Sequence, residues 1–427
     1  MRYYYGWNIV VLTGLCQTVS LGIAINCLSL YIPYWSKDLS VPISVLALCY
    51  TLNSIGYCLL APVTGAWTAR VSVRRMMTVG LLGIACLFAL ASQVRQAWQL
   101  LTLFATVAPV SMILSGGLTS QVLVARWFDN RRGLALAIST IGQIVAGIVL
   151  PPLFGRIIPL IGWRPLFMFI AAAIAIAFTP IAYFVLRDRP TNEMIPHGEF
   201  PEVVQTPDGQ RHQHQEHGKV SSYRKLLTDR RFWLVAVINT MGMVVSGVMI
   251  VNIAPIALDR GLSPPEAGTL IAIFSVAAAA NKIIAGYAID KVAGRVVLGT
   301  IITMIIAGTL TLKVASSFIG LAFGVFLVAG SIALQVPMAA LSARLFGTQN
   351  FGRVMGALLV FLAVAAFAPP LLAKIREATQ SYNLPFLLLA GSGAIGLVAS
   401  QFLNVGRRIP PGSVEPAGAT SRGDVPS

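Results

Sequence analysis

Long runs of apolar residues separated by short polar segments dominate the sequence. Most of these runs reach or approach the roughly 20 residues that an α-helix needs to cross the hydrocarbon core of a bilayer. Because a helix satisfies its own backbone hydrogen bonds inside lipid, the pattern predicts an all-α polytopic membrane protein with twelve transmembrane helices. The predicted spans are 7–33, 43–69, 76–93, 97–125, 133–158, 165–186, 231–257, 266–289, 296–313, 318–344, 354–374 and 384–404.

One long polar connector, residues 187–230, divides the spans into two six-helix halves, 1–186 and 231–404. The connector is rich in Pro, Glu, Gln and His, which favours a solvated loop. Its histidines include His212, His214 and His217, a spacing that could bind a metal, but a solvated linker is the preferred interpretation and no metal site is predicted. The Pro-, Gly- and Ser-rich tail, 405–427, is predicted to be disordered.

Composition supports the membrane assignment. Hydrophobic residues make up 56% of the chain and charged residues only 11%, with a mean hydropathy of +0.78. A soluble domain carries about 25% charged residues, so this chain cannot cover a water-soluble surface of its size. The net charge of +16 would suggest nucleic acid in a soluble protein, but here its distribution between the loops is the informative quantity.

The basic residues are unevenly divided between alternating loops. The side that holds both termini and the central connector carries 22 Lys and Arg, whereas the other side carries 8. The positive-inside rule therefore predicts that both termini and the connector are cytoplasmic, in a bacterial inner membrane. Membrane lipid is an expected partner, nucleic acid is not, and we expect a monomer.

Lys282 is the one basic residue that this count leaves inside a predicted span. It lies eight residues before Asp290, about 12 Å from the end of its helix and close to the bilayer midplane. A cation at that depth is costly and usually faces the interior of the bundle, where it has a function. The sequence therefore indicates a counter-charge for an anionic substrate; the alternative is a lysine that snorkels or rests on helix carbonyls.

No Asp or Glu occurs in the middle third of any predicted span. Coupling through an intramembrane carboxylate is therefore disfavoured, whereas a proton-carrying substrate, exchange and facilitation all stay open. Side-chain amides at mid-depth could line a substrate path, although such groups also hydrogen-bond between membrane helices. The predicted substrate-binding residues are Lys282, Asn26, Asn53, Gln143, Asn239 and Gln335.

Two loops at matching places in the halves resemble each other. Residues 65–75 follow the second span, and residues 286–295 follow the eighth. Both are similar to the Gly-x-x-x-Asp-Arg-x-Gly-Arg loop of the major facilitator superfamily, although the first copy has Ala69 for Asp and Ser72 for Gly. The resemblance implies inverted repeats, a midplane site between the halves and alternating access. The implied gating residues are Gly65, Arg70, Arg74, Gly286, Asp290, Lys291, Arg295, Arg131 and Arg132.

A narrower resemblance is to the monocarboxylate and oxalate/formate antiporter branch of that superfamily. It is carried by Tyr5-Gly6-Trp7 and by the segment 127–135, which includes Arg131-Arg132. The branch has an essential basic residue eight positions before the loop Asp, and Lys282 matches it. Ala278 stands where animal monocarboxylate transporters have an Asp, and the eleventh span lacks a second cation. A single cation suits a monoanion.

The sequence therefore predicts a secondary or facilitative transporter of small organic anions, with monocarboxylates as the expected substrates and no enzymatic activity. It contains no Walker loop, and no cofactor or metal is predicted. Three alternatives stay open. These are an efflux carrier for an amphipathic drug or metabolite, a receptor that binds without transporting, and a membrane-embedded enzyme, against which the lack of intramembrane His and acidic residues counts.

Overall fold

The computed structural model describes residues 4–128, 132–188, 227–346 and 348–403. Twelve helical spans are long and apolar enough to cross a membrane, and the described residues contain no β-strand. The prediction of an all-α, twelve-span fold is confirmed. The helices of the first half are Gly6–Gln17, Thr18–Asn26, Leu28–Leu39, Ile43–Arg70, Val73–Ser92, Ala97–Ala105, Val107–Ser115, Gly117–Trp127, Arg132–Ile161, Trp163–Ala173, Ile174–Phe178 and Thr179–Val185.

The second half repeats this organisation in six further spans. Its helices are Arg230–Asp259, Pro264–Lys291, Gly294–Val314, Phe318–Val328, Gly330–Ala333, Gln335–Phe346, Thr348–Ala365, Ala368–Thr379 and Asn383–Gln401. We number the spans one to twelve in chain order. Most of the connector 187–230 and the whole tail 405–427, including the predicted His cluster, lie outside the described residues.

Several spans are built from more than one helical piece. The first contains a π-helical stretch, Thr18–Asn26, and the fourth and tenth, which are equivalent in the two halves, are both interrupted near their middles. The fourth span breaks at Gly116, where only a glycine fits. A side chain there would meet the carbonyl oxygen of Met112, one turn earlier in the same span. Irregular helix at membrane depth is tolerated where it is buried in protein or lines a cavity.

The first and fifth spans pack at backbone distance. A side chain on Gly142 would begin against the carbonyl oxygen of Gly14, and one on Gly22 would meet Ala146. Small residues at such positions allow the close helix packing that membrane bundles require. The Thr18 hydroxyl donates to the Gly142 carbonyl at 2.8 Å, which stabilises the same interface.

Because twelve spans return the chain to its starting side, both described ends lie on one side, here called the termini side; the opposite one is the far side. The two halves meet near the far side. There Ser44 contacts Glu377, the Thr51 hydroxyl donates to the Ala366 carbonyl at 2.5 Å, and the Ala254 amide donates to Ser29 Oγ at 2.8 Å.

The fifth and eighth spans make a further far-side contact between the halves. A side chain on Gly155 would begin 2.7 Å from the carbonyl oxygen of Pro264, and one on Gly268 would meet the carbonyl oxygen of Pro151. The two halves are therefore in direct contact at the far side. Side chains added at Gly65 of the second span and Gly356 of the eleventh would enter open space.

Candidate functional site

A cavity of about 490 Å³ lies between the two halves. Its walls come from the first, second, fourth and fifth spans of one half and from the equivalent spans of the other. The third, sixth, ninth and twelfth spans contribute none of the lining residues. Those residues are Gln17, Leu21, Ile25, Asn26, Tyr50, Gly117, Gln121, Thr140, Gln143, Ile144, Met243, Ser246, Met249, Ile250, Ile253, Ile271, Phe274, Ser275, Ala278, Ala279, Lys282, Ile332, Gln335 and Leu362.

Lys282 lies on the cavity wall, on the eighth span. It follows Ile271, Ser275 and Ala278 at steps of four, three and four residues, which places all four on one helix face. The side chain is half-buried and has no hydrogen bond or ion pair with any described residue. It is also the single charged group among the described residues that line the cavity.

The charge of Lys282 is therefore not neutralised by the wall. No Asp or Glu occurs among the described lining residues. An unpaired ammonium group away from bulk water is costly, and an anion that enters the cavity lowers that cost. The electrostatics of the cavity thus favour a negatively charged ligand over a cation.

Asn26 and Gln143 face each other across the first and fifth spans. Asn26 Nδ2 donates to the backbone carbonyl of Gln143 at 3.1 Å, and Gln17 Nε2 donates to the carbonyl of Ser139 at 2.9 Å. Each bond fixes the direction of an amide side chain that lines the cavity, so little conformational entropy is lost when a ligand binds it. The side-chain amide of Gln143 has no partner among the described residues.

Four of the six predicted substrate residues line the cavity: Lys282, Asn26, Gln143 and Gln335. The other two do not. Asn53 is 6% exposed, and its carbonyl oxygen Oδ1 is buried without a partner. Asn239 Nδ2 lies 3.6 Å from the sulfur of Met243, and Asn239 is one turn closer to the termini side than the lining stripe of the seventh span.

Several polar lining residues were not predicted. Some of them lie at helical spacing from predicted residues: Thr140 precedes Gln143 by three residues, and Ser275 precedes Lys282 by seven. Tyr50 of the second span approaches Gly247 of the seventh, in the other half. A Cβ atom added to Gly247 would lie 3.4 Å from the Tyr50 hydroxyl oxygen. The unpredicted polar lining residues are Gln17, Tyr50, Gln121, Thr140, Ser246 and Ser275.

The loop 65–75, for which the sequence predicts a gating role, is held by a carboxylate from outside its own sequence. Ser72 Oγ donates to Asp188 Oδ2 at 2.5 Å, and the backbone amide of Arg74 donates to Asp188 Oδ1 at 3.0 Å. Asp188 thus caps the third span from the end of the sixth span. The guanidinium of Arg74 stacks on Tyr183 at 4.6 Å, whereas Arg70 is exposed.

The matching loop of the second half, 286–295, has a different set of contacts. Gly286 lies beside Val336 of the same half: a Cβ atom added to Gly286 would lie 3.6 Å from Val336 Cγ1. Lys291 contacts the Tyr287 hydroxyl, and Arg295 is exposed. Asp290 and Arg132 lie in helices, and Arg131 lies outside the described residues. None of these positions tests the predicted gating role.

Both halves contain the same contact between an arginine and a backbone carbonyl, which the sequence did not predict. Arg126, at the end of the fourth span, donates to the carbonyl of Thr68. Arg344, at the end of the tenth span, donates to the carbonyl of Ile289 at 3.1 Å. Thr68 and Ile289 each follow a loop glycine by three residues, so the two arginines occupy repeat-related positions at the termini side.

Comparison with known proteins gives one family. The family model described as "Major Facilitator Superfamily" matches residues 14–253 and 241–425. YcxA, an uncharacterised MFS-type transporter of Bacillus subtilis (strain 168), is 24% identical over 30% of this chain and 31% of its own length. An MFS-type transporter of Gibberella moniliformis is 26% identical over 57% of this chain and 54% of its own. The chain thus spans from about a third to about half of these relatives.

Solved structures with the same fold cover nearly the whole chain. A bacterial homologue of the human lysosomal transporter Spinster, inward-facing and unoccupied, superposes with a TM-score of 0.67 at 15% identity. The match covers 93% of this chain and 95% of that one. The occupied form of the homologue gives a TM-score of 0.65 at 14% identity. At such identities the likeness concerns the fold alone.

Proposed function

Because the chain belongs to the major facilitator superfamily and is a multi-pass membrane transporter, we propose that it carries small organic anions, monocarboxylates above all, across the membrane by alternating access. The observation that carries this proposal is the unpaired ammonium group of Lys282 in the cavity between the halves. Lys282 acts as the counter-charge of the substrate carboxylate. The amide of Asn26, which is held by a hydrogen bond, and the side-chain amide of Gln143, which has no partner among the described residues, select the shape of the substrate.

The charge balance of the cavity supports this substrate class. One lysine and no described carboxylate line the walls, so a monoanion brings the site to neutrality. A dianion leaves one negative charge without a partner, and a cation adds a second positive charge. Lys presents a compact charge with three donors, which suits a carboxylate without requiring the planar, bidentate geometry of Arg.

The arrangement of the halves supports alternating access. The far side is closed by the contact of Ser44 with Glu377 and by that of Thr51 with Ala366. With both termini in the cytoplasm, as the distribution of Lys and Arg predicts, this is an inward-facing state. Rocking of one half against the other about the cavity would open the far side.

Counterflow in proteoliposomes tests the proposal. Vesicles loaded with unlabelled lactate, pyruvate or benzoate should take up the labelled anion faster than protein-free vesicles. Lys282→Ala should abolish the protein-dependent uptake, and Lys282→Arg should restore part of it. Lys37→Ala removes an exposed positive charge outside the cavity and is the matched control, expected to transport like the wild type.

Two results would contradict the proposal. If Lys282→Ala transports these anions at the wild-type rate, the counter-charge role is wrong. If the wild-type protein binds the anions but never equilibrates them across the bilayer, the protein is a receptor and not a carrier.

A further inference from the structure

Three helices from both halves converge at one corner of the cavity. Asn26 of the first span and Ser275 of the eighth both line it, and Gly147 of the fifth lies behind them. A side chain on Gly147 would begin 3.0 Å from Asn26 Nδ2 and would also meet Ser275 Oγ. The amide and the hydroxyl are therefore less than two hydrogen-bond lengths apart, so one small polar group at the cavity face can contact both.

The hydrogen-bond capacity of this corner is only partly used. One N–H of Asn26 donates to the Gln143 carbonyl, which leaves the second N–H and the carbonyl oxygen Oδ1. The Ser275 hydroxyl donates to the Ile271 carbonyl at 3.0 Å, which leaves its oxygen lone pairs. Asn26 and Ser275 make no other hydrogen bonds with described residues. Together they present one donor and two acceptors to a ligand.

The corner shares a helix face with Lys282. Ser275 and Lys282 are seven residues apart, which is two turns and about 10.5 Å along the axis. Helical side chains lean toward the N-terminus of the helix, so the lysine leans toward Ser275 and shortens that gap. A small molecule can therefore contact the ammonium group with one end and the corner with the other.

We propose that Asn26 and Ser275 form a second subsite that binds a hydroxyl group of the substrate. The transported anion is then a monocarboxylate with a hydroxyl at the end remote from its carboxylate. This inference rests on the proposed function, because Lys282 must bind the carboxylate for the corner to receive the remote end.

The chemistry of the corner selects a hydroxyl over other polar groups. A hydroxyl donates one bond and accepts another, which matches a site with one donor and two acceptors. A second carboxylate accepts only, so it would face the lone pairs of Ser275 Oγ and Asn26 Oδ1. An ammonium group would bring a second positive charge into a cavity whose described walls hold no carboxylate to balance it.

Calorimetric titration of the purified wild-type protein tests this. The probe pairs are benzoate with 4-hydroxybenzoate and hexanoate with 6-hydroxyhexanoate, which separate the two groups by rigid and flexible spacers. One hydrogen bond contributes about 1 kcal/mol, so at least one hydroxy acid should bind about fivefold to tenfold more tightly than its parent. Terephthalate and 4-(aminomethyl)benzoate should bind no better than benzoate.

Variants separate the two subsites. Ser275→Ala should reduce the preference for the hydroxy acid toward one while benzoate binding stays within about threefold. Asn26→Ala should also reduce this preference. Ser246→Ala removes another cavity hydroxyl, one that bonds the Met243 carbonyl, and should leave the preference intact. Ser275→Ala is the milder variant, because Asn26 also joins two spans. If Asn26→Ala fails to fold, the result for Ser275→Ala decides the test.

The outcomes distinguish the two proposals. Equal binding of acid and hydroxy acid by the wild type, a preference that survives Ser275→Ala, or tighter binding of terephthalate would overturn the hydroxyl subsite while leaving anion transport standing. If Lys282→Gln binds benzoate as tightly as the wild type does, the proposed function itself fails.

Discussion

Removal of the Glu377 side chain should open the far side of the protein. Glu377, in the eleventh span, accepts hydrogen bonds from the Ser44 backbone amide at 2.9 Å and from the Ser44 hydroxyl at 2.6 Å. Ser44 lies in the first turn of the second span, where backbone N–H groups lack helical partners and a negative charge is favoured. The carboxylate therefore caps a helix of the opposite half, and Glu377→Ala removes this contact.

The size of the effect follows from the two bonds. A hydrogen bond to a charged group contributes about 1.5–3 kcal/mol. Ser44 and Glu377 are both partly exposed, so water replaces some of the lost interaction, and we take about 2 kcal/mol for the whole contact. Because about 1.4 kcal/mol corresponds to a tenfold change, the ratio of far-side-open to far-side-closed molecules should rise about thirtyfold. The contact joins the two halves at the far side, so opening that side breaks it and its loss biases the equilibrium directly.

Spin labels on far-side loops can measure that ratio. Arg95 and Ser316 are exposed and lie in opposite halves, so a label pair there reports the far-side separation. In a background without the natural cysteines, Glu377→Ala should shift the distance distribution toward longer values. Lys374→Ala, an exposed neighbour on the same helix, should not shift it. An unchanged distribution in Glu377→Ala would refute the argument that this carboxylate holds the far side closed.

Two further predictions concern packing and capping. Gly142→Val should lower the thermal midpoint of unfolding in detergent and reduce transport, because the valine side chain would begin against the Gly14 backbone. An unchanged midpoint in this variant would show that the first and fifth spans can separate freely. Asp188→Ala should destabilise the first half by about 1–2 kcal/mol through loss of the cap on the third span. This loss is measured as a lower thermal midpoint, and Asp188→Asn should retain part of that stability.

The twelve spans could be predicted because length and apolarity alone determine whether a helix can cross a bilayer. The break of the fourth span at Gly116 and the π-helical stretch of the first were not predicted. Such irregularities depend on packing against neighbouring helices, which a hydropathy pattern does not record. The far-side contact of Ser44 with Glu377 was missed for the same reason, since the two residues are 333 positions apart.

The sequence indicates how deep in the membrane a residue lies along its helix. It does not indicate which face of the helix turns toward the cavity. Depth predicts Lys282 and Asn26 as substrate residues, and both line the cavity. Depth also predicts Asn53, but the cavity face of the second span is occupied by Tyr50, three residues earlier and therefore about 60° away around the helix. Ser275 gives no signal in the sequence because a serine can satisfy itself on its own helix, as this one does with Ile271.

The most direct test of the account is whether the cavity recognises negative charge through Lys282. Calorimetry on the purified protein should compare benzoate with benzamide, which has nearly the same shape and no charge. We predict that the wild type and Lys282→Arg bind benzoate at least about tenfold more tightly than benzamide, equivalent to about 1.4 kcal/mol, and that Lys282→Gln shows no preference. Equal binding of the two compounds by the wild type, or a preference that survives Lys282→Gln, would contradict the account.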